Sequence, residues 1–384
     1  MRKTLLGICF CLVVHVLKAQ LYEQQIEKAA QAINKKDFCA ALLVFKQALT
    51  DTTKVNRYDY AYAALAAANC HDQRQALTWL NKSQQKGFGL QDGEIESIAK
   101  DSAFSSLHTS AEWRILLAKM QQAKEKDKLA KQIASEQWLE SSLRHAQLTE
   151  SEGGMAKPFP AGFALYFQPA DTINVPYLVY VPSSFSRAKP ASLIIYLHGG
   201  VVNQDHFAYR DPQVANEPIF KVANHYNTLV LYPFARKDFG WVDQENAFKH
   251  VLTMLDQVKK RYAVPFDRIY LGGMSNGGTA TYWYATKHAH LFSGFYAFSP
   301  WPSLKSSPTD YAKLSSGKPF VSINAKDDSV FPYSAVKAIY DQQQSKARDW
   351  RFKSIAEGGH GFIYEPGGPL LMQEVFDELF REKH

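Results

Sequence analysis

Residues 268–279 read Arg-Ile-Tyr-Leu-Gly-Gly-Met-Ser-Asn-Gly-Gly-Thr, and this stretch decides the fold class that the sequence predicts. It begins with a short apolar run that is typical of a buried strand. The pentapeptide Gly273–Gly277 has the form G-x-S-x-G, and a helix-compatible segment follows it. A strand, a sharp turn and a helix in this order place Ser275 in a strained backbone conformation with an exposed hydroxyl. The glycines at both ends of the pentapeptide remove Cβ atoms that would collide with neighbouring chain.

This pattern also fits a Gly/Ser turn that carries no chemistry, so residues elsewhere in the chain decide between the two interpretations. The surrounding sequence alternates apolar runs with helix-compatible spans. Predicted strands cover 163–168, 177–181, 191–197, 229–232, 268–272, 295–299, 320–324 and 350–355, and predicted helices cover 243–262, the span after Ser275 and 370–380. Alternation of this kind favours an α/β fold with a doubly wound, mainly parallel sheet.

Polar residues follow four of these strands, at the edge of the sheet where such folds carry function. Ser275, His198 and His360 each follow a strand, and the pair Asp327 and Asp328 follows the strand 320–324. A serine, an aspartate and a histidine in this chain order form the set that nucleophilic acyl transfer uses. The sequence therefore predicts that Ser275 is a nucleophile, that His360 takes its proton and that Asp327 orients His360.

Three segments carry a resemblance to a known group of proteins. Leu197–Gly200, Asp267–Tyr270 and Gly273–Gly278 resemble the α/β-hydrolase superfamily, and more narrowly the secreted esterases grouped with polyhydroxybutyrate depolymerases, feruloyl esterases and acetylxylan esterases. The resemblance covers residues 163–384. It implies a serine hydrolase of carboxylic esters that needs no cofactor. Its expected substrate is a small-molecule or polysaccharide-linked ester, extending to acyl or feruloyl esters of carbohydrate.

Two adjacent residues are candidates for the aspartate of the catalytic set. Members of this group often have Gly-x-x-Asp where this chain has Asn324–Asp327, and a second acid, Asp328, follows directly. Asp327 fits better because Val330 lies three residues beyond it, as in the D-x-x-V pattern of the group. Asp328 is the alternative.

The resemblance also implies which groups stabilise the negatively charged intermediate. Its oxyanion is expected to accept hydrogen bonds from the backbone N–H of Asn276 and from that of Gly200 or Val201. His198 is expected to organise its loop and not to transfer protons. Four aromatic residues near strand ends could line a substrate pocket or simply pack: Trp241, Trp301, Phe207 and Phe362.

The N-terminal segment 1–19 has the features of a secretory signal, which predicts a secreted or periplasmic protein. Arg2 and Lys3 precede an apolar run from Leu5 to Leu17. The run is shorter than the ~20 residues that span a bilayer, so no stable membrane span is expected.

Residues 20–120 carry a repeat that resembles the tetratricopeptide helix-turn-helix. Ala41, Phe45 and Ala48 recur 35 residues later as Ala76, Leu80 and Ser83. This spacing puts small and large side chains on one helical face. Such a domain could bind a protein partner or only pack beside its neighbour. A helical linker is predicted for 121–160, and the catalytic domain for 161–384.

Composition excludes several other classes. The formal charge of the 384-residue chain is +7, which falls to +4 without Arg2, Lys3 and Lys18, and its bases form no stripe, so no nucleic-acid partner is expected. No H-E-x-x-H, paired C-x-x-C or P-loop motif is present, so metal and nucleotide chemistry have no support. Cys39 and Cys70 form a disulfide in an oxidising compartment or are two buried apolar side chains. The rival functions are a serine peptidase of the prolyl-oligopeptidase type and a non-catalytic repeat-based binding protein.

Overall fold

The structure is a computed structural model, and it describes residues 21–50, 53–151, 159–186, 188–262 and 266–381. The predicted signal segment 1–19 lies outside these ranges. The chain divides into two compact units, Met1–Ile133 and Ala134–His384. The division falls inside one long helix, between the boundaries predicted at residues 120 and 160.

The first unit is helical. Residues 21–34 form α1, and the later helices are α2 (Phe38–Ala48), α3 (Arg57–Asn69), α4 (Gln73–Gln85), α5 (Glu94–Lys100) and α6 (Ala111–Ser151), of which α6 runs on into the second unit. Polar residues cap the helix starts: the side chains of Asp37, Asn56 and Asp72 accept hydrogen bonds from first-turn N–H groups of α2, α3 and α4.

The predicted repeat positions lie in the core of this unit. All six are buried: Ala41, Phe45, Ala48, Ala76, Leu80 and Ser83. Helix α3 packs against both α2 and α4, as expected for antiparallel helices with small residues on the shared face. The tetratricopeptide assignment itself stays a prediction. Cys39 and Cys70 form a disulfide, and Cys39 is exposed, so the alternative of two buried apolar side chains is wrong.

The second unit is built on one eight-stranded sheet. Its strands are β1 (Gly162–Ala170), β2 (Ile173–Val181), β3 (Ala191–Leu197), β4 (Thr228–Pro233), β5 (Phe266–Met274), β6 (Gly294–Phe298), β7 (Phe320–Ala325) and β8 (Trp350–Ile355). Their order is β1-β2-β4-β3-β5-β6-β7-β8. Strands β1 and β2 pair antiparallel, β2 pairs antiparallel with β4, and the pairings from β4 to β8 are parallel.

Helices cover both faces of this sheet. They are α7 (Pro218–Ala223), α8 (Glu245–Tyr262), α9 (Asn276–Lys287), α10 (Tyr333–Gln343) and α11 (Gly368–Arg381). Strand β3 is wholly buried because its alternate side chains enter two cores, one with α8 and α9 and the other with α7 and α11. Every predicted strand overlaps an observed one. The predicted mainly parallel α/β fold with a preceding helical region is confirmed.

Within the described ranges, no helix is both long enough and apolar enough to cross a bilayer. The longest, α6, has 41 residues and carries charged side chains along its length.

Candidate active site

Ser275 lies at the sharp turn between β5 and α9. Its φ of 53° and ψ of −115° are strained values for a residue with a Cβ. Two backbone hydrogen bonds hold this conformation: the Ser275 N–H donates to the carbonyl of Phe298 at 2.9 Å, and its carbonyl accepts from the N–H of Thr279 at 2.8 Å. The turn therefore presents the Ser275 hydroxyl at the carboxyl edge of the sheet.

Close approach of β3 explains the two glycines of the pentapeptide. A Cβ on Gly277 would stand 1.9 Å from the carbonyl oxygen of Leu197, and one on Gly273 would stand 2.1 Å from the same atom. No side chain fits at either position without moving the backbone. The prediction that these glycines avoid a collision with neighbouring chain is confirmed.

Three side chains from separate parts of the chain meet in series at this turn. The Oγ atom of Ser275 is 2.7 Å from Nε2 of His360, and Nδ1 of His360 is 2.9 Å from Oδ2 of Asp328. A carboxylate only accepts hydrogen bonds, so the Nδ1 atom carries the imidazole proton and Nε2 can accept the serine proton. The Asp328 side chain is fully buried, and its Oδ1 atom accepts the N–H groups of Val330 and Phe331 at 2.8 and 2.9 Å.

Asp327, the acid preferred from the sequence, does not contact the imidazole. Its carboxylate accepts the N–H of Gly359 at 2.9 Å and that of Gly358 at 3.1 Å, and these bonds, the first foremost, lower its pKa. The preference for Asp327 as the partner of His360 is thus corrected to Asp328. The D-x-x-V spacing misled because the chain after β7 turns so that the second acid faces inward.

The segment carrying His360 has further supports. The hydroxyl of Ser299, which directly follows β6, donates to the His360 carbonyl at 2.8 Å. The ring of Phe331 lies edge-on to the imidazole, with 5.1 Å between ring centroids. Gly358 and Gly359 have φ values of 124° and 59°, a region that suits glycine.

His198 holds its own loop together. Its Nε2 accepts the N–H of Ala235 at 3.1 Å, so Nδ1 carries the proton and donates to the carbonyl of Gly199 at 2.7 Å. The indole N–H of Trp241 donates to the His198 carbonyl at 2.9 Å. Burial lowers the pKa of His198 to about 4, which keeps the ring neutral. Its predicted role as an organiser of the loop agrees with these contacts.

The predicted oxyanion donors lie beside Ser275. Asn276 begins α9, where first-turn N–H groups have no partner within the helix. The N–H of Val201 donates to the side-chain oxygen of Asn276 at 3.2 Å. Gly200 has a φ of 70°, and Gly199 packs so closely that a Cβ there would be 3.1 Å from the Ser275 Cβ.

A cavity of about 370 Å³ adjoins this turn. Its lining residues include Trp241, Trp301, Phe331, Asn276 and Lys305. Two of the four aromatic residues predicted for a pocket, Trp241 and Trp301, therefore line it. The other two, Phe207 and Phe362, do not line it. Phe207 packs against the ring of Phe239, and Phe362 is buried in the core near Phe298.

Among the described residues, no cluster of three or more His, Cys, Asp and Glu side chains is arranged to hold a metal ion.

Comparison with known proteins finds a thioesterase and an esterase among the relatives. No protein-family model matches the chain. Acyl-protein thioesterase 1 of Eremothecium gossypii is 24% identical over 218 residues, which are 50% of this chain and 87% of that protein. The bifunctional acetylxylan esterase/xylanase XynS20E of Neocallimastix patriciarum is 28% identical over 174 residues, 42% of this chain and 22% of that protein.

Among solved structures, the similarities extend to esterases and peptidases. The acylaminoacyl peptidase of Pyrococcus horikoshii is 16% identical, with a TM-score of 0.43 over 58% of this chain and 43% of that one. The sheet order, the Ser275 turn and the two sequence relatives agree with one another. The second unit has the α/β-hydrolase fold. Its predicted class, a carboxylic-ester hydrolase, is confirmed by the esterase and thioesterase relatives.

Sequence reasoning about this hydrolase missed one supporting residue. Ser299 was predicted only as the end of the strand 295–299, yet its hydroxyl holds the His360 carbonyl. The available signal was its position at the carboxyl end of a parallel strand, the same signal that identified Ser275 and His360.

Proposed function

We propose that this hydrolase is a serine esterase that works through an acyl-enzyme. Ser275 attacks the ester carbonyl while His360 takes its proton, and His360 then returns the proton to the leaving alcohol. Water, activated by His360, releases the acyl group from Ser275 in the second half of the reaction. Asp328 orients the imidazole and stabilises its cationic form. The observation that carries this proposal is the series of 2.7 and 2.9 Å contacts from Ser275 through His360 to Asp328.

The tetrahedral intermediate needs donors for its oxyanion. We infer that the backbone N–H of Asn276 is one, and that the N–H of Gly200 or Val201 is the other. If Val201 supplies it, the substrate oxygen replaces the Asn276 side-chain oxygen that now accepts this N–H. One such donor is typically worth about 3 kcal/mol in the transition state.

For the substrate, we propose acyl or feruloyl esters of carbohydrate. The cavity beside Ser275 supports this, because indole rings of Trp241 and Trp301 offer flat apolar walls while Asn276 and Lys305 offer polar groups. The Neocallimastix patriciarum relative, an acetylxylan esterase/xylanase, points the same way. We also propose that the protein is secreted or periplasmic, which the signal-like segment 1–19 and the Cys39–Cys70 disulfide support.

For the helical unit we propose a packing role, with a peptide-binding face as the alternative. The buried repeat positions support packing without requiring a partner.

The test is labelling with a fluorophosphonate, followed by a substrate panel. The proposal expects stoichiometric labelling of the wild type and none of Ser275→Ala. Absence of labelling in the wild type would leave a non-catalytic binding protein. Turnover of aryl acetates and methyl ferulate is expected to exceed turnover of peptide substrates, and the reverse order would favour a serine peptidase.

A further inference from the structure

Glu217 is a carboxyl group whose hydrogen-bond partner Tyr364 lies on the segment that carries His360. Its two oxygens face tyrosine hydroxyls: Tyr232 donates to Oε1 at 3.4 Å and Tyr364 donates to Oε2 at 3.3 Å, both at the long end of the hydrogen-bond range. Together with Tyr196, these phenols are the groups that act on its ionisation. Within the described ranges, no Lys, Arg or His forms an ion pair with Glu217.

Three elements of the fold meet at this carboxyl. Tyr196 lies on β3, Tyr232 lies on β4, and Tyr364 ends the short 3-10 turn Phe362–Tyr364 that follows His360. The Tyr196 hydroxyl is buried, and in the described part of the chain it has no hydrogen-bond partner within normal distance. The rings of Tyr196 and Tyr232 stack with 5.9 Å between centroids. The Tyr364 ring is half exposed, so its hydroxyl is the only group of the three that belongs to a surface segment.

The energetics of this arrangement are unfavourable to stability. Burial raises the pKa of the Glu217 carboxyl to about 7, although the hydrogen bonds from Tyr364 and Tyr232 and the nearby Tyr196 hydroxyl act in the opposite direction. A buried carboxylate without a cation destabilises a fold. Carboxyl groups whose pKa is raised by burial are often found at functional sites.

We propose that Glu217 is a positioning residue for His360, acting through the Tyr364 hydroxyl on the turn that follows the imidazole. The inference rests on the proposed function, in which His360 is the base. A charged acceptor forms a hydrogen bond roughly twice as strong as a neutral one. The ionised carboxylate therefore holds the turn firmly, and the protonated form holds it loosely. Activity gains a pH dependence from Glu217 in addition to that of His360.

Stability and activity should then respond to Glu217 in opposite directions. The pKa of Glu217 in the folded protein is above its unfolded value, so the folded state binds the proton more tightly. The stability that this group contributes is present below pH 4.5 and is lost as the pH rises through 7. Positioning of His360, in contrast, improves over the same rise.

The decisive variant is Glu217→Gln, which keeps the shape and removes the charge. At pH 8.5 we expect kcat to fall about threefold to tenfold with KM unchanged, while the melting temperature rises above that of the wild type. At pH 6 the two proteins should differ less than about twofold in kcat, since the wild-type carboxyl is then also neutral. A residue with a merely structural role would lower activity and stability together at every pH.

A matched pair of tyrosine variants separates the connection to His360 from general packing. Tyr364→Phe removes the hydroxyl on the His360 segment and should reproduce the loss of kcat at pH 8.5. Tyr232→Phe removes the other hydroxyl donor to Glu217 and leaves that segment untouched, so it should change kcat less than about twofold. The double variant Glu217→Gln/Tyr364→Phe should lose no more than Tyr364→Phe alone.

The rate of fluorophosphonate labelling at Ser275, measured against pH, distinguishes the possible failures. No labelling of the wild type would end the proposed function itself. If the wild type is labelled and the labelling rates of Glu217→Gln and the wild type depend on pH in the same way, this inference is overturned while the proposed function stands. Equal kcat values for Tyr364→Phe and Tyr232→Phe at pH 8.5 would overturn it as well, even if Glu217→Gln fails to fold.

Discussion

Ser275 and His360 meet at one point, but different forces hold them there. The Ser275 turn is set by the backbone: glycines that admit β3, and two main-chain hydrogen bonds within the turn and to the end of β6. The His360 segment is set by side chains, because Asp327, Asp328 and Ser299 each hold a different part of it. The nucleophile is therefore fixed by contacts close to it, and the base by groups at the ends of two other strands.

Replacing the nucleophile should give the largest effect. Ser275→Ala is expected to lower kcat by about four orders of magnitude or more, since no other hydroxyl is bonded to Nε2 of His360 in the described chain. The melting temperature should change little, because the backbone and not the side chain holds this turn. Ser354→Ala, on the edge strand β8, is the matched control and should keep full turnover. Substantial activity in Ser275→Ala would remove the proposed mechanism.

Filling the space between the turn and β3 tests whether the backbone fixes Ser275. Gly277→Ala places a Cβ 1.9 Å from the Leu197 carbonyl oxygen, so the turn or the strand must shift. We expect the free energy of unfolding to fall by about 3 kcal/mol and turnover to fall with it. Urea unfolding and ester turnover measure the two effects.

Gly367→Ala provides the control for this substitution, because a Cβ there meets no atom within 4 Å. Its free energy of unfolding should stay within about 0.5 kcal/mol of the wild type, and its turnover within about twofold. Equal losses of unfolding free energy and turnover in Gly277→Ala and Gly367→Ala would contradict the claim that close backbone packing fixes the Ser275 turn.

The loop of His198 gives a smaller, pH-dependent effect. Burial holds the pKa of His198 at about 4 in the folded protein, below its value near 6.5 in the unfolded chain. The unfolded state therefore binds more protons between pH 4 and 6.5, and stability falls as the pH is lowered through this window. The loss should reach up to about 3 kcal/mol. Urea midpoints at pH 7 and 4.5 should move further apart for the wild type than for His198→Gln.

The fold was largely predictable because its signals are local. The run 191–197 is apolar throughout because both faces of β3 are covered, and the predicted limits match the strand to the residue. The Ser275 turn was predictable for the same reason, because the two glycines of G-x-S-x-G are required where a Cβ would collide with β3. Helix α7 and the bounds of α10 were not predicted, and neither was the order of the strands, which depends on pairings between distant parts of the chain.

The site was predictable in kind but not in every residue. Ser275 and His360 follow strands, and the topology brings strand ends to one edge. The choice between Asp327 and Asp328 depends on which way a side chain faces after β7. Both acids lie in or next to the turn that follows β7, so the geometry of that turn decides which acid faces inward. No sequence pattern indicates which of the two side chains faces inward.

The most direct measurement is the turnover of Asp328→Asn against that of Asp327→Asn, with one ester at one pH. Asp328→Asn should lower kcat by about three to four orders of magnitude, because the imidazole loses the acceptor that fixes its tautomer. Asp327→Asn should lower it less than about tenfold, because this side chain holds only the backbone of Gly358 and Gly359. A loss in Asp327→Asn as severe as in Asp328→Asn, or near-normal turnover in Asp328→Asn, would contradict the account.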